Sequence, residues 1–321
     1  MWKNIKLLSI AVICAVALVS QGRACAVQIR DDQGRTIHLE KPAQRIIPLY
    51  GAFAEMLFAI GAGDQVIART RADVFPAGVR ELPSVGTHMK PNVEMIIGMK
   101  PDLVIQSASR REAIPGMESL DRAGIPVAVF DPKDFAGIFS TMLRLGELTG
   151  REQKAESLIK SLKNRLINVE SRLGLDREWA GSNGIAQSNP AGCKIKKLCS
   201  IFFEVRSDPL TAAGRGSIVQ DILKFAGAEN VVKSDKSLVI YSLESLLLDD
   251  PDFYLIQTGP MNRNPVDPRS RDHFGQLMAI RQGKILYVDE FLYSRPGPRC
   301  VDAVEKLAST LYPECFQTDK R

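Results

Sequence analysis

Short, continuously apolar runs alternate along this chain with longer stretches whose apolar residues recur every three or four positions. Arg45–Leu49 (RIIPL), Gln65–Ala68, Leu103–Ile105, Val127–Phe130, Leu198–Val205, Leu255–Ile256 and Ile285–Val288 read as strands, with a further apolar patch at Leu82–Val85. Runs with no polar face suit a parallel sheet buried on both sides. Helical spacing covers Ala52–Ile60, which Gly61 and Gly63 end, and Pro91–Met99, which Pro101-Asp102 breaks. It returns over 112–123, Phe135–Gly150, Arg151–Leu173, Ser217–Ala226 and Pro298–Leu311. Strands alternating with helices predict right-handed β-α-β units, so the fold class is α/β with mostly parallel sheets. Residues 27–40 read as a polar start with a turn at Asp31–Gly34, and 174–194 as an irregular surface loop.

The stretch Arg151–Leu173 has no Gly or Pro and keeps one apolar face through Ala155, Leu158, Ile159, Leu162, Leu166, Val169 and Leu173. At 1.5 Å per residue it spans about 35 Å. That length reaches from one lobe to another; the plainer alternative is a helix packed on one domain. Two segments on either side echo each other: EMIIGMKPDLVIQ from Glu94 to Gln106 and ESLLLDDPDFYLIQ from Glu244 to Gln257. Each has a Glu, an apolar helix, Pro-Asp seven residues on, and a strand ending in Gln. Chance can produce such a match in α/β proteins; the sharper reading is two lobes of similar topology. Glu94 and Glu244 then start matching helices, where an acid suits the positive end of the dipole. As a surface pair they can also meet basic sites on a two-fold partner.

The first 26 residues follow a different rule. Lys3 and Lys6 precede an apolar run from Leu7 to Val19, and Ala24-Cys25-Ala26 offers a small-x-small site. This predicts a signal peptide cleaved near Ala26 and export to the periplasm. Lipid attachment at Cys25 is the less favoured option, because Arg23 sits where a small or apolar residue is expected. The apolar run is too short for a membrane helix, which needs about 20 residues. Without this leader the chain keeps 39 basic and 37 acidic residues. So balanced a charge gives no support for a nucleic-acid partner. Four cysteines remain: Cys193, Cys199, Cys300 and Cys315. An even number in an exported chain permits two disulfides, most simply 193 with 199 and 300 with 315. A four-thiol zinc site is the rival, weakened by the lack of any C-x-x-C pair.

No G-x-S-x-G, H-E-x-x-H, G-x-x-x-x-G-K-[ST] or G-x-G-x-x-G pattern occurs. Gly214-Arg215-Gly216-Ser217, before a helix, can cradle an anion on backbone amides, though alone this is weak. Ligands of open α/β sheets sit beyond the carboxyl ends of strands. The candidates there are Tyr50, Gly51, Arg69, Arg71, His88, Arg206, Gln257, Tyr293 and Arg295. Converging arginines attract an anionic ligand and hold carboxylates bidentately, and Arg and Tyr stack on flat ligands. His88, or Tyr50 as a phenolate, can instead ligate a metal; each is equally a polar contact. The one tryptophan after the leader, Trp179, lies outside these loops.

Four blocks resemble the periplasmic binding proteins for ferric siderophores, haem and cobalamin. They are RIIPLYGAFAEMLFAIG from Arg45, PSVGTHMKPNVEMIIGMKPDLVI from Pro83, FEVRSDPLTAAGRGSIVQDILKFAGAEN from Phe203 and SRPGPRCVDAVEKL from Ser294. The resemblance implies two α/β lobes joined by one long helix that limits closure, with the ligand in the cleft between them. The expected organisation is a signal peptide over 1–26, an N-terminal lobe over 27–145, the inter-lobe helix over 146–175 and a C-terminal lobe over 176–321. It further implies that Glu94 and Glu244 dock onto arginines of a dimeric inner-membrane ABC permease. The expected role is non-enzymatic capture, by a monomer without a resident cofactor, of a metal chelate: ferric siderophore first, then cobalamin or haem. The alternative is a secreted hydrolase or metal-cofactor enzyme on a similar two-lobed fold. The loop over 174–194 is longer than the family leads one to expect.

Overall fold

The computed structural model describes residues 26–108, 117–175 and 193–317. The proposed leader with Cys25, and most of the 174–194 loop with Trp179, lie outside these residues. Val27–Arg30 (β1) and Thr36–Leu39 (β2) form an antiparallel hairpin. Ile29, Ile37 and Leu39 are buried, so the segment read as merely polar alternates one apolar residue inward with one polar residue outward. Asp31 ties the turn: its Oδ1 accepts from the Gln33 and Arg35 amides, and its Oδ2 accepts from the Arg35 guanidinium and the Val129 amide.

Ile46–Pro48 (β3) leads into the helix Gly51–Ala59 (α1). A two-stranded hairpin follows, Gly86–Thr87 (β4) with Lys90–Pro91 (β5), then Val93–Gly98 (α2), Leu103–Ser107 (β6), Met117–Arg122 (α3) and Val127–Phe130 (β7). The first sheet is β3-β6-β7, wholly parallel. Of the strands expected at 65–68 and 82–85, only single bridges form, Ile46 with Val66 and Arg69 with Ser84. A 3-10 turn over Gly63–Gln65 and Pro83, which carries no N–H, keep these segments from joining a ladder.

Phe135–Thr149 (α4) ends at Gly150 in the left-handed region (φ 67°), and Glu152–Leu173 (α5) ends likewise at Gly174 (φ 66°). The 22 residues of α5 span about 33 Å. One face lies against α4. Beyond it come Cys199–Ser207 (β8), Leu210–Ala213 (β9), Ile218–Phe225 (α6), Ala228–Asn230 (β10), Leu238–Ile240 (β11), Leu243–Asp249 (α7) and Phe253–Thr258 (β12). Met278–Arg281 (α8), Ile285–Asp289 (β13), Glu290–Tyr293 (α9) and Cys300–Leu311 (α10) complete the chain. The second sheet runs β11-β9-β8-β12-β13, with β10 beside β8. Strands β8, β10, β12 and β13 are parallel, while β9 and β11 are antiparallel additions. Helix α5 also packs on α6 and α10 of this second half. Its Arg165 donates to Glu305 (2.9 Å) and Asp302 (2.6 Å) of α10. One long helix therefore touches both lobes.

The echo between the halves is structural. Asn92 caps α2 by accepting from the Met95 amide, and Ser242 caps α7 by accepting from the Ser245 amide. Both helices end just before a non-glycine residue of positive φ, Lys100 (48°) or Asp250 (33°), and the proline follows. The aspartate of each Pro-Asp pair then clasps the neighbouring strand. Asp102 accepts from the Gln44 and Arg45 amides (2.8 and 3.0 Å), at the entry to β3. Asp252 accepts from the Ser200 amide (2.8 Å) in β8. Pro-Asp is thus a device for setting the register of a parallel pair, used once per lobe.

The cysteines correct the expected local pairs. Cys193 is bonded to Cys315, with Cα atoms 5.4 Å apart. Cys199 and Cys300 are free. Cys199 lies on β8, where its amide donates to the Tyr312 hydroxyl. Cys300 is buried at the start of α10 and donates to the Arg295 carbonyl, and burial pushes its thiol up to about 12. Among the described residues one metal-like cluster forms, Cys193, Glu314 and Cys315, and its two sulfurs are joined to each other. No helix of the described residues is long and apolar enough to cross a membrane.

Candidate ligand-binding cleft

The parallel strands of both sheets end on one cleft of about 760 Å³. From the first half come Leu49 and Tyr50 after β3, Gln106 and Ser107 at the end of β6, and Asp131 to Lys133 after β7. From the second half come Val205 of β8, Gln257 of β12, Pro260 and Met261 beyond it, and Glu290 after β13. This is the crevice at the carboxyl ends of strands where such sheets hold ligands. Most of its wall is apolar, with Phe53, Met89, Ala213, Ile218, Val219, Leu238 and Pro296 adding to the set.

Five of the nine residues singled out in the sequence line this cleft: Tyr50, Gly51, His88, Gln257 and Arg295. The Tyr50 and His88 rings lie 6.0 Å apart. Burial pushes the Tyr50 hydroxyl up to about 12, against a smaller pull from Arg295, so at neutral pH it is a protonated phenol. Arg295 stacks on the Phe291 ring at 4.0 Å and donates to the Ala72 carbonyl of the opposite lobe at 3.3 Å. Gly51 cannot carry a side chain in this arrangement: a Cβ would lie 2.3 Å from Arg295 Nη1 and 2.6 Å from Asp73 Oδ1.

The other four are elsewhere. Arg69 spends its guanidinium on the Leu82 and Thr70 carbonyls (3.1 and 3.0 Å) and braces its own loop. Arg71 is exposed outside the lining. Arg206 follows cleft-lining Val205, so strand alternation turns it outward, at a register shift between Glu204 and Arg206. Tyr293 is core: it packs on Phe203 with ring centroids 6.2 Å apart, and burial raises it to about 12. Most amides of the Gly214–Ser217 turn, which reaches the cleft at Gly216 and Ser217, are already used. The amides of Gly214, Arg215 and Ser217 already donate to Ser237, Ser234 and Gly214 carbonyls. Its glycines are required by close backbone instead, since a Cβ on Gly214 would meet the Lys236 carbonyl at 2.1 Å.

Sequence reasoning missed the acids. Asp73 and Glu290 line the cleft, Asp73 nearly buried. Burial raises both carboxyls, while the Thr70 amide pulls Asp73 back and the Met261 amide pulls Glu290 back. Asp131 pairs with Lys133 at 3.0 Å. The charged lining is therefore three carboxylates against Lys133 and Arg295, not an arginine trap. Behind the cleft the lobes are pinned together. Arg299 grips Glu55 of α1 through two hydrogen bonds (2.8 and 2.7 Å), and Asp221 of α6 accepts from the Phe135 amide of α4 at 2.9 Å. The expected docking acids stand apart from the cleft: Glu94 on α2 and Glu244 on α7 are both exposed, in the first turn of equivalent helices.

Two α/β lobes, a bridging helix and a crevice at their strand ends define a two-lobed ligand-binding protein. Residues 46–180 match the family model described as periplasmic binding protein. It is 28% identical over 294 residues, 91% of this chain and 87% of the relative, to the uncharacterized ABC transporter substrate-binding lipoprotein YvrC of Bacillus subtilis (strain 168). It is 24% identical to a vitamin B12-binding protein of Pectobacterium carotovorum subsp. carotovorum (strain PC1), covering 84% of this chain and 88% of that one. Among solved structures, a periplasmic heme-binding protein from Pseudomonas aeruginosa matches with a TM-score of 0.71 at 22% identity, over 84% of this chain and 93% of its own.

Proposed function

We propose that this chain is the exported substrate-binding component of an ABC importer of the cobalamin, haem and siderophore type, and that its cargo is a corrinoid. Its role is capture and delivery without catalysis. One observation carries the reading: the cleft between the lobes is mostly apolar and nearly balanced in charge, with polar atoms from both lobes set into it. Converging arginines would suit a ferric siderophore, and of Arg69, Arg71, Arg206 and Arg295 only the last lines the cleft. A polyanionic chelate or the propionates of haem would meet Asp73, Asp131 and Glu290 there. A corrinoid brings a broad apolar macrocycle with neutral amide arms, which suits apolar walls and scattered polar groups. The relatives named as vitamin B12-binding, over 84% of this chain in one case, support the same class.

Calorimetric titration of the purified protein with cyanocobalamin, haemin and a ferric hydroxamate tests this. Submicromolar binding of cyanocobalamin, with the others at least tenfold weaker, is expected. Saturable binding of the ferric hydroxamate or haemin alone would replace the cargo, and binding of none of them would remove the reading.

A further inference from the structure

The cleft floor holds an unpaired set of polar groups that the lobes assemble only together. Asp73 comes from the first lobe. Its Oδ2 accepts from the Thr70 amide at 2.8 Å, but its Oδ1 has no hydrogen-bond partner, although Asp73 is only 1% exposed. Arg295 comes from the second lobe. It forms no ion pair among the described residues, and its Nη1 and the free Asp73 oxygen both crowd the same edge of Gly51. In the lining of the same cleft, Gln106 at the end of β6 is also 1% exposed, and its amide nitrogen has no partner. A buried polar atom without a partner costs about 1–3 kcal/mol, so such a set is poised for a group that completes it.

What completes it is fixed by the chemistry of the atoms. The Asp73 oxygen needs an N–H or O–H donor, and the Arg295 and Gln106 nitrogens need an acceptor oxygen. A carboxamide presents both side by side. A carboxylate presents only acceptors and adds a third negative charge beside Asp73 and Glu290, around one guanidinium. We propose that Asp73, Arg295 and Gln106 form a carboxamide-recognition subsite, with Asp73 as the residue that selects an amide arm of the ligand over a carboxylate. This rests on the corrinoid reading, whose ligand carries such arms.

The Thr70 amide makes a sharp test available. It requires an acceptor, so in Asp73→Asn the new side chain must turn its oxygen to Thr70 and its NH2 to the cleft. The variant keeps its shape but exchanges acceptor for donor where the ligand arrives. The probes are cyanocobalamin and the monocarboxylic acids made by hydrolysing one peripheral amide, each isomer purified and titrated separately. The native protein should bind at least one isomer about tenfold more weakly than the parent, and D73N should shrink or invert that preference. If every isomer binds the native protein within twofold of cyanocobalamin, or D73N keeps the preference, the subsite is wrong while the corrinoid reading stands. If cyanocobalamin itself does not bind, both fall. The isomer comparison on the native chain decides the matter even if D73N fails to fold.

Discussion

Single residues in this protein are read through the partners that burial leaves them. Glu55, Asp73, Asp221 and Glu290 all have carboxyls raised by burial. In the unfolded chain they titrate near 3.8 or 4.5. Between those values and the raised ones the folded state holds more protons, so stability falls as pH rises through that window. Thermal unfolding should therefore give a Tm that falls as pH rises just above the ordinary carboxyl range. Asp221→Asn keeps an acceptor for the Phe135 amide but loses the charge, so it should flatten part of the slope. A Tm that climbs steadily with pH through and above the carboxyl range would contradict the assignment. None of the four stood out in the sequence. An aspartate in RTRADVF looks like any loop acid until the fold buries it behind Gly51.

At the scale of elements, the Glu-helix-Pro-Asp-strand unit is the most informative feature. It appears twice, 150 positions apart, with equivalent caps, equivalent left-handed exits and the same clasp on a neighbouring strand. Neither Glu94 nor Glu244 touches the cleft. Replacing both by Ala should abolish uptake in cells while calorimetric ligand affinity stays within twofold. A large loss of affinity would remove the docking role. The unit was legible because its signals are local: an acid in the first turn, helical spacing, and a proline that ends the helix. The hairpin β1-β2 and the antiparallel strands β9 and β11 were not. They are only three or four residues long, and β1 and β2 alternate apolar with polar residues, so no continuous apolar run marks them.

At the scale of the whole molecule, α5 along the back, the Glu55–Arg299 pair and the Phe135–Asp221 hydrogen bond hold the lobes, while the Cys193–Cys315 bond ties the start of the second half to the end of the chain. The disulfide closes 122 residues of sequence. Reducing it should lower unfolding free energy by about 2–5 kcal/mol, read from urea curves with and without reductant. Unchanged curves would mean that the bond does not constrain the unfolded chain.

The sequence by itself determined the long helices, the parallel strands β3, β6, β7, β8, β12 and β13, the spanning length of α5 and the two-fold echo. Each of these follows from periodicity and breakers within a dozen residues. Only the tertiary structure decided what the cleft is made of. Arg69 and Arg206 lie near strand ends as expected, yet local carbonyls hold one and strand alternation turns the other away. Asp73, Gln106 and Arg295 are brought into one cleft from three separate stretches of chain, and Cys193 finds Cys315 rather than nearby Cys199. Side-chain direction and long-range proximity depend on how the lobes pack on each other, and spacing along the chain carries no record of that.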